Sequence, residues 1–154
     1  MFGDWNSPAA VLKAAQLATE RREDCINSGR SLIFETVLSV PDKISFIEKA
    51  GKAGYFIRLF FIGTENPQIN AARIARRVLE GGHDVPIQKI ISRYYKSMAN
   101  CAVAAPLVDR LYVYDNSADN APPALLFRAN AGRLTKQYVP VNRWAEDILK
   151  AVSS

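Results

Sequence analysis

Sulfur and imidazole are scarce in this chain, which has two cysteines and one histidine in 154 residues. Cys25 and Cys101 stand far apart and lack the short paired spacing of a zinc site, so they read as small core residues rather than a disulfide framework or metal centre. No metal ligand set is expected. Long apolar runs are also missing: nothing approaches the roughly 18 consecutive apolar residues that a spanning helix needs. Met1 to Pro8 lacks the basic-then-apolar order of a secretory signal, and a cytoplasmic location is the expectation. Neither an internal repeat nor a low-complexity segment interrupts the chain. Its length suffices for one core and is short for two typical domains, so residues 1–154 read as a single domain.

Acidic residues are the other local shortage. Between Arg73 and Lys96 the cations Arg73, Arg76, Arg77, Lys89, Arg93 and Lys96 face only Glu80 and Asp84, although the whole chain carries just +5. Outside this stretch the charges nearly cancel. Gly81-Gly82 in its middle suits a left-handed helix cap, and Pro86 suits the first turn of a following helix, so two basic helices flank a short loop. Such a pair is either a solvated face or a device that closes over phosphates. His83 sits in that loop with no orienting partner nearby in sequence, and reads as a loop anchor or phosphate hydrogen-bonder rather than a general base.

The remaining pattern alternates helices and strands. Ala9 to about Asn27 has helical periodicity after Ser7-Pro8, and Ser31 to Phe34 reads as a short buried strand. A helix follows from Pro41-Asp42 to about Ala53. Tyr55 to Ile62 is the strongest strand signal, expected near the sheet centre, with Arg58 its one odd residue. Helices from about Pro67 to Glu80 and Pro86 to Ala104 precede a strand at Val108 to Tyr114. Leu125 to Phe127 and Leu134 to Val139 suggest a hairpin around Asn130-Ala-Gly132, and Trp144 to Val152 a closing helix. This order predicts an α/β fold with a parallel sheet, whose chemistry collects at the carboxyl ends of the strands. Three groups fall there: Glu35-Thr36, Gly63-Thr64-Glu65 and Asp115-Asn116-Ser117. For Asn116 and Ser117 a turn role is the simpler reading.

Five of these stretches carry a resemblance. Phe34-Glu-Thr36, Gly54-Tyr55 with its apolar strand, Gly81-Gly-His-Asp-Val-Pro86, Arg93-Tyr94 and Tyr114-Asp-Asn-Ser117 together resemble, in order and spacing, the zeta-toxin-like P-loop kinases. The likeness spans roughly residues 8 to 117, leaving 118–154 as hairpin and terminal helix. It implies a nucleoside-kinase-like three-layer parallel sheet and ATP-dependent phosphoryl transfer, with Mg²⁺, to a nucleotide sugar such as UDP-N-acetylglucosamine or another small hydroxyl acceptor. Glu35 and Thr36 would then bind the acceptor. Arg77 and Arg93 would contact the transferring phosphates, with Arg73, Arg76, Gly81, Gly82, His83 and Lys96 around the nucleotide. A kinase of this kind rests on positioned cations, because phosphoryl transfer asks for little covalent chemistry from the protein. An antitoxin is a further implied partner.

One part of the family pattern has no counterpart here: the first strand, the Gly-rich phosphate loop ending Gly-Lys-Ser/Thr, and the second strand with its acidic residue. Gly51-Lys52 is the one Gly-Lys pair, but Ala53 follows it and Phe46 stands where the first glycine belongs. The chain is therefore expected to be inactive or incomplete by itself, as a kinase completed by another N-terminal polypeptide or as a binding module for a phosphorylated ligand or acidic partner. Nucleic acid is the minor reading, since no basic sheet motif with interleaved aromatics stands out.

Overall fold

The computed structural model describes residues 7–82 and 84–153. They fall into two compact units, Met1–Thr36 and Val37–Ser154.

In the first unit one helix dominates, α1 (Pro8–Asn27). The Ser7 hydroxyl accepts the Ala10 N–H at 3.2 Å, and proline in the first turn loses no helical hydrogen bond. A segment without regular secondary structure follows, in which the Phe34 ring lies 5.3 Å from the Arg22 guanidinium.

The second unit holds the order α2 (Asp42–Lys52), β1 (Arg58–Gly63), α3 (Pro67–Leu79), α4 (Ile87–Ala104), β2 (Arg110–Asp115), β3 (Ala124–Asn130), β4 (Arg133–Gln137) and α5 (Glu146–Lys150). α2 carries Asp42 in its first turn and Lys49 and Lys52 in its last, matching the helix dipole at both ends. Gly54 ends it at φ +82° while the Tyr55 N–H returns to the Ala50 carbonyl at 3.1 Å. The Asn66 side chain caps α3 by accepting the Ile69 N–H at 3.3 Å.

β1 and β2 pair in parallel, Arg58 beside Arg110 through Gly63 beside Asp115. β3 and β4 then add antiparallel, giving the order β1-β2-β3-β4. α4 lays a stripe of Ile90, Tyr94, Ser97, Cys101 and Ala104 inward, at helical spacing. Cys101 and Ala104 meet Leu111, Val113, Phe127 and Ala129 of the strands and Ile148 and Val152 near the C-terminus, all at most 2% exposed. Burial pushes the Cys101 thiol well above its ordinary pKa, so it packs as a hydrophobe.

Several expectations hold and several need correction. The α/β class is right, the hairpin is present, and its tight turn puts Ala131 and Gly132 at φ +45° and +72°. The sheet is mixed rather than purely parallel, because the hairpin joins the parallel pair edge to edge. Ser31 to Phe34 is not a strand among the described residues: a strand exists through its ladder, and the ladders formed there involve β1, β2, β3 and β4 only. The apolar strand begins at Arg58, not Tyr55. The Tyr55 N–H is spent on the α2 cap and that of Ile57 on the Asp109 carboxylate at 2.7 Å, so the ladder starts only at the Arg110 N–H to Ile57 carbonyl bond of 3.0 Å. Nor is that strand central: among the described residues β1 is an edge. Toward the C-terminus, the expected Trp144–Val152 helix is a 3₁₀ turn over Arg143–Ala145 followed by the short α5.

Gly63 closes β1 against Trp144, where an added Cβ would sit 2.4 Å from the indole ring. Gly63→Ala should therefore destabilise the protein by about 1–3 kcal/mol through overpacking. Urea denaturation checks this, and a variant as stable as the parent would show that the ring moves aside freely.

Candidate functional site at the carboxyl ends of β1 and β2

Parallel pairing sets the segments after β1 and β2 side by side, and a short network joins them. The Asn116 N–H donates to the Gly63 carbonyl at 2.8 Å. Asp115 uses both carboxylate oxygens: Oδ1 accepts the Ser117 N–H at 2.9 Å and the Ser117 hydroxyl, and Oδ2 accepts the Asn142 amide at 2.7 Å. The Ser117 hydroxyl oxygen in turn accepts the Glu65 N–H at 2.7 Å. This is an Asx turn that reaches across to the neighbouring strand, so the turn reading of Ser117 fits the geometry.

From below, α4 supplies Tyr94, only 7% exposed, whose hydroxyl is shared between the Thr64 and Glu65 carbonyls at 2.9 and 3.0 Å. Burial, followed by the nearby Tyr95, Glu65 and Asp115, pushes its phenol up to about 12. Tyr94 therefore stays a neutral donor and holds the backbone of the 64–65 turn in place.

The basic residues divide into two groups. Arg73 is committed to the turn, donating to the Asn116 carbonyl at 2.7 Å, the Ala118 carbonyl at 3.3 Å and Asp119 at 3.1 Å. Arg76 is exposed and 3.9 Å from the same Asp119. Arg77 and Lys96 are exposed and Arg93 is half-buried, and none of the three has an ion pair or hydrogen-bond partner for its side chain among the described residues. α3 and α4 contain no Asp or Glu at all, so nothing within either helix neutralises them.

Gly81 and Gly82 end α3 as expected. Gly81 has φ +91°, its N–H meets the Val78 carbonyl at 3.0 Å, and the Gly82 N–H meets that of Arg77 at 2.8 Å. A Cβ on Gly82 would lie 2.8 Å from the Arg77 carbonyl oxygen, so the backbone at the start of the loop is fixed to the helix that carries Arg77. His83 lies outside the described residues. Glu35 and Thr36 are exposed and belong to the first unit.

Two participants escaped the sequence reading. Asn142 is 27 residues from Asp115 and carries no local signal. Asp109, which binds the Ile57 N–H, looked like an ordinary residue within the expected Val108–Tyr114 strand. Tyr94 was visible only inside the Arg-Tyr pair, although its place on the apolar stripe of α4 marks it as buried.

The chain matches the zeta toxin family over residues 5–122, well over half its length. It belongs to that family. No curated protein and no solved structure matches it. Arg77 and Arg93, without side-chain partners among the described residues, stand on the two helices beside the Gly81-Gly82 turn. The opposite side does not fit: Gly51-Lys52 closes the carbonyl end of α2, where the dipole is negative, whereas phosphates are cradled at helix N-termini. No group of three or more His, Cys, Asp or Glu among the described residues is placed to hold a metal ion.

Tyr94→Phe should cost about 1–3 kcal/mol, because it strips the turn carbonyls of their buried donor. The sign of the pH effect follows from the raised pKa. The Tyr94 contribution is whole below the free phenol value near 10 and fades as pH climbs toward about 12. Denaturation of both proteins across pH 8 to 12 should show the parent losing its advantage over the variant in that upper range. For the arginines, Arg73→Ala should lower stability measurably and Arg77→Ala should not, since only the first is bonded to the turn. Equal melting curves for all three proteins would refute that division.

Proposed function

We propose that this zeta-toxin-family chain is the lid-bearing part of a kinase-type domain that holds the phosphates of a nucleotide or nucleotide sugar, and that it does not transfer a phosphoryl group on its own. The carrying observation is the pair Arg77 and Arg93. Both lack anionic partners among the described residues, and they stand on two acid-free helices beside the glycine turn. Guanidinium forks bind phosphate oxygens bidentately, and unpaired ones have no intramolecular partner to give up first. Lys89 and Lys96 add diffuse positive charge. Arg73 is engaged with the turn and supports α3 rather than contacting ligand. On this reading, the cosubstrates are ATP and Mg²⁺, the acceptor is a nucleotide sugar such as UDP-N-acetylglucosamine contacted by Glu35 and Thr36, and the partner is an antitoxin-type protein.

The misfit of Gly51-Lys52 favours a second reading, a non-catalytic module in which the same basic lid retains a phosphorylated ligand or an acidic partner. A Gly-Lys-Ser/Thr loop supplied from outside residues 1–154 is the alternative that restores catalysis.

Two measurements decide. The purified chain with Mg²⁺, ATP and candidate sugars should show no turnover; rates in the ordinary kinase range of about 1–100 s⁻¹ would overturn the proposal. In calorimetry with a nucleotide sugar, Arg77→Ala and Arg93→Ala should each lose about 1.5–3 kcal/mol of binding, and Lys89→Ala and Lys96→Ala much less. Equal losses from all four would reduce the lid to an undirected basic patch.

A further inference from the structure

β1 is the strand whose residues alternate most sharply between two environments. Phe61 and Gly63 are buried against the helices, whereas Arg58, Phe60 and Ile62 are exposed, Phe60 at 56% and Ile62 at 57%. The register carries this outer face across the sheet. Phe60 stands beside Tyr112, Tyr112 opposite Arg128, and Arg128 opposite Lys136, while Arg58 stands beside Arg110. The Phe60 and Tyr112 rings are stacked, 4.9 Å apart and 8° from parallel.

The charges in this group are one-sided. Arg58, Arg110, Arg128 and Lys136 have no ion pair among the described residues, and no Asp or Glu occupies the register positions named. Arg58 and Arg110 are directly opposed like charges, an arrangement that costs stability in a sheet until an anion lies over it. The Nε of Arg128 is buried with no hydrogen-bond partner.

We infer that this face binds a single-stranded nucleic acid, with unpaired bases stacking on the Phe60–Tyr112 column and the phosphodiester chain running along Arg58, Arg110, Arg128 and Lys136. The aromatic column ends at a sheet edge, so the outward side of Phe60 is open to continue the stack. Stacking on aromatics with flanking cations is how sheet surfaces take unpaired strands without reading sequence. A duplex, whose bases are stacked on one another, lacks free ring faces to offer. A second copy of the chain is the competing occupant, because the main-chain groups of Arg58, Phe60 and Ile62 point away from β2 and have no ladder partner among the described residues. Charge argues against it: edge-to-edge pairing would add another Arg58 row to this face, and charged edge residues oppose such pairing. A polyanion complements what a second copy repels.

The test uses the full chain and a fluorescein-labelled 12-residue oligouridylate, followed by anisotropy. Binding is expected, about tenfold or more tighter than to a duplex of equal length, with oligothymidylate binding comparably because none of these contacts needs a 2′-hydroxyl. The logarithm of affinity should fall against log salt with a slope of about −2 to −3, as for three or four phosphate contacts on a single strand. Phe60→Ala with Tyr112→Ala should weaken binding about tenfold or more. Arg58→Gln with Arg110→Gln should flatten the salt slope and keeps the aromatic column, so it tests the same face even if the aromatic variant folds poorly. Arg77→Ala with Arg93→Ala should leave oligonucleotide affinity unchanged, which separates this face from the lid. No binding, equal binding of duplex, or loss through the lid variant instead would each overturn the inference. So would sedimentation showing a dimer that Phe60→Ala dissolves and that cannot bind the oligonucleotide.

Discussion

The parallel ladder between β1 and β2 is the constraint on which the rest of the second unit depends. Running in the same direction, the two strands deliver Gly63 and Asp115 to the same end of the sheet, and the segment between them is long enough to hold both basic helices. The Asn116 N–H to Gly63 carbonyl bond continues that ladder past the strand ends. The Asx turn of Asp115, the Tyr94 hydroxyl and the Arg73 fork then fasten onto it. An antiparallel pairing would send Gly63 and Asp115 to opposite ends and leave Arg73 without the carbonyls it binds.

That arrangement separates support from availability among residues of one chemical type. Arg73 and Arg77 lie one helical turn apart on α3, yet the first is bonded to three groups of the turn and the second to none. A bound guanidinium near a strand end positions a helix, whereas one on the same helix without such bonds does not. Gly82, held against the Arg77 carbonyl, ties the start of the loop to the same helix end. The Gly-Lys pair of α2, by contrast, lies at the carbonyl end of its helix, the end that does not favour a phosphate.

The two faces of β1 show how one strand serves two environments. Its odd residues face the helices and build the core with Leu111, Val113 and Phe127, while its even residues carry Arg58, Phe60 and Ile62 outward. In the sequence Arg58 looked like an anomaly in an apolar strand. In the sheet it lies on the same face as Phe60 and beside Arg110, and period-two alternation is what places it there.

Helices, caps and turns were legible in the sequence because they are local. Ser7-Pro8, Pro67, the glycines after α2 and α3 and the Asn130-Ala-Gly132 turn act over a few residues, and the order of apolar and basic stretches was enough for the α/β class and the family resemblance. Tertiary structure decided everything that needs a partner far along the chain. Ser31 to Phe34 has strand composition but joins no ladder among the described residues, Tyr55 and Ile57 spend their N–H groups before β1 begins, and Asp115 meets Asn142 through folding alone. Which arginine is engaged and which is free was likewise invisible, because Arg73 and Arg77 have the same chemistry and differ only in whether the turn after β2 lies within reach.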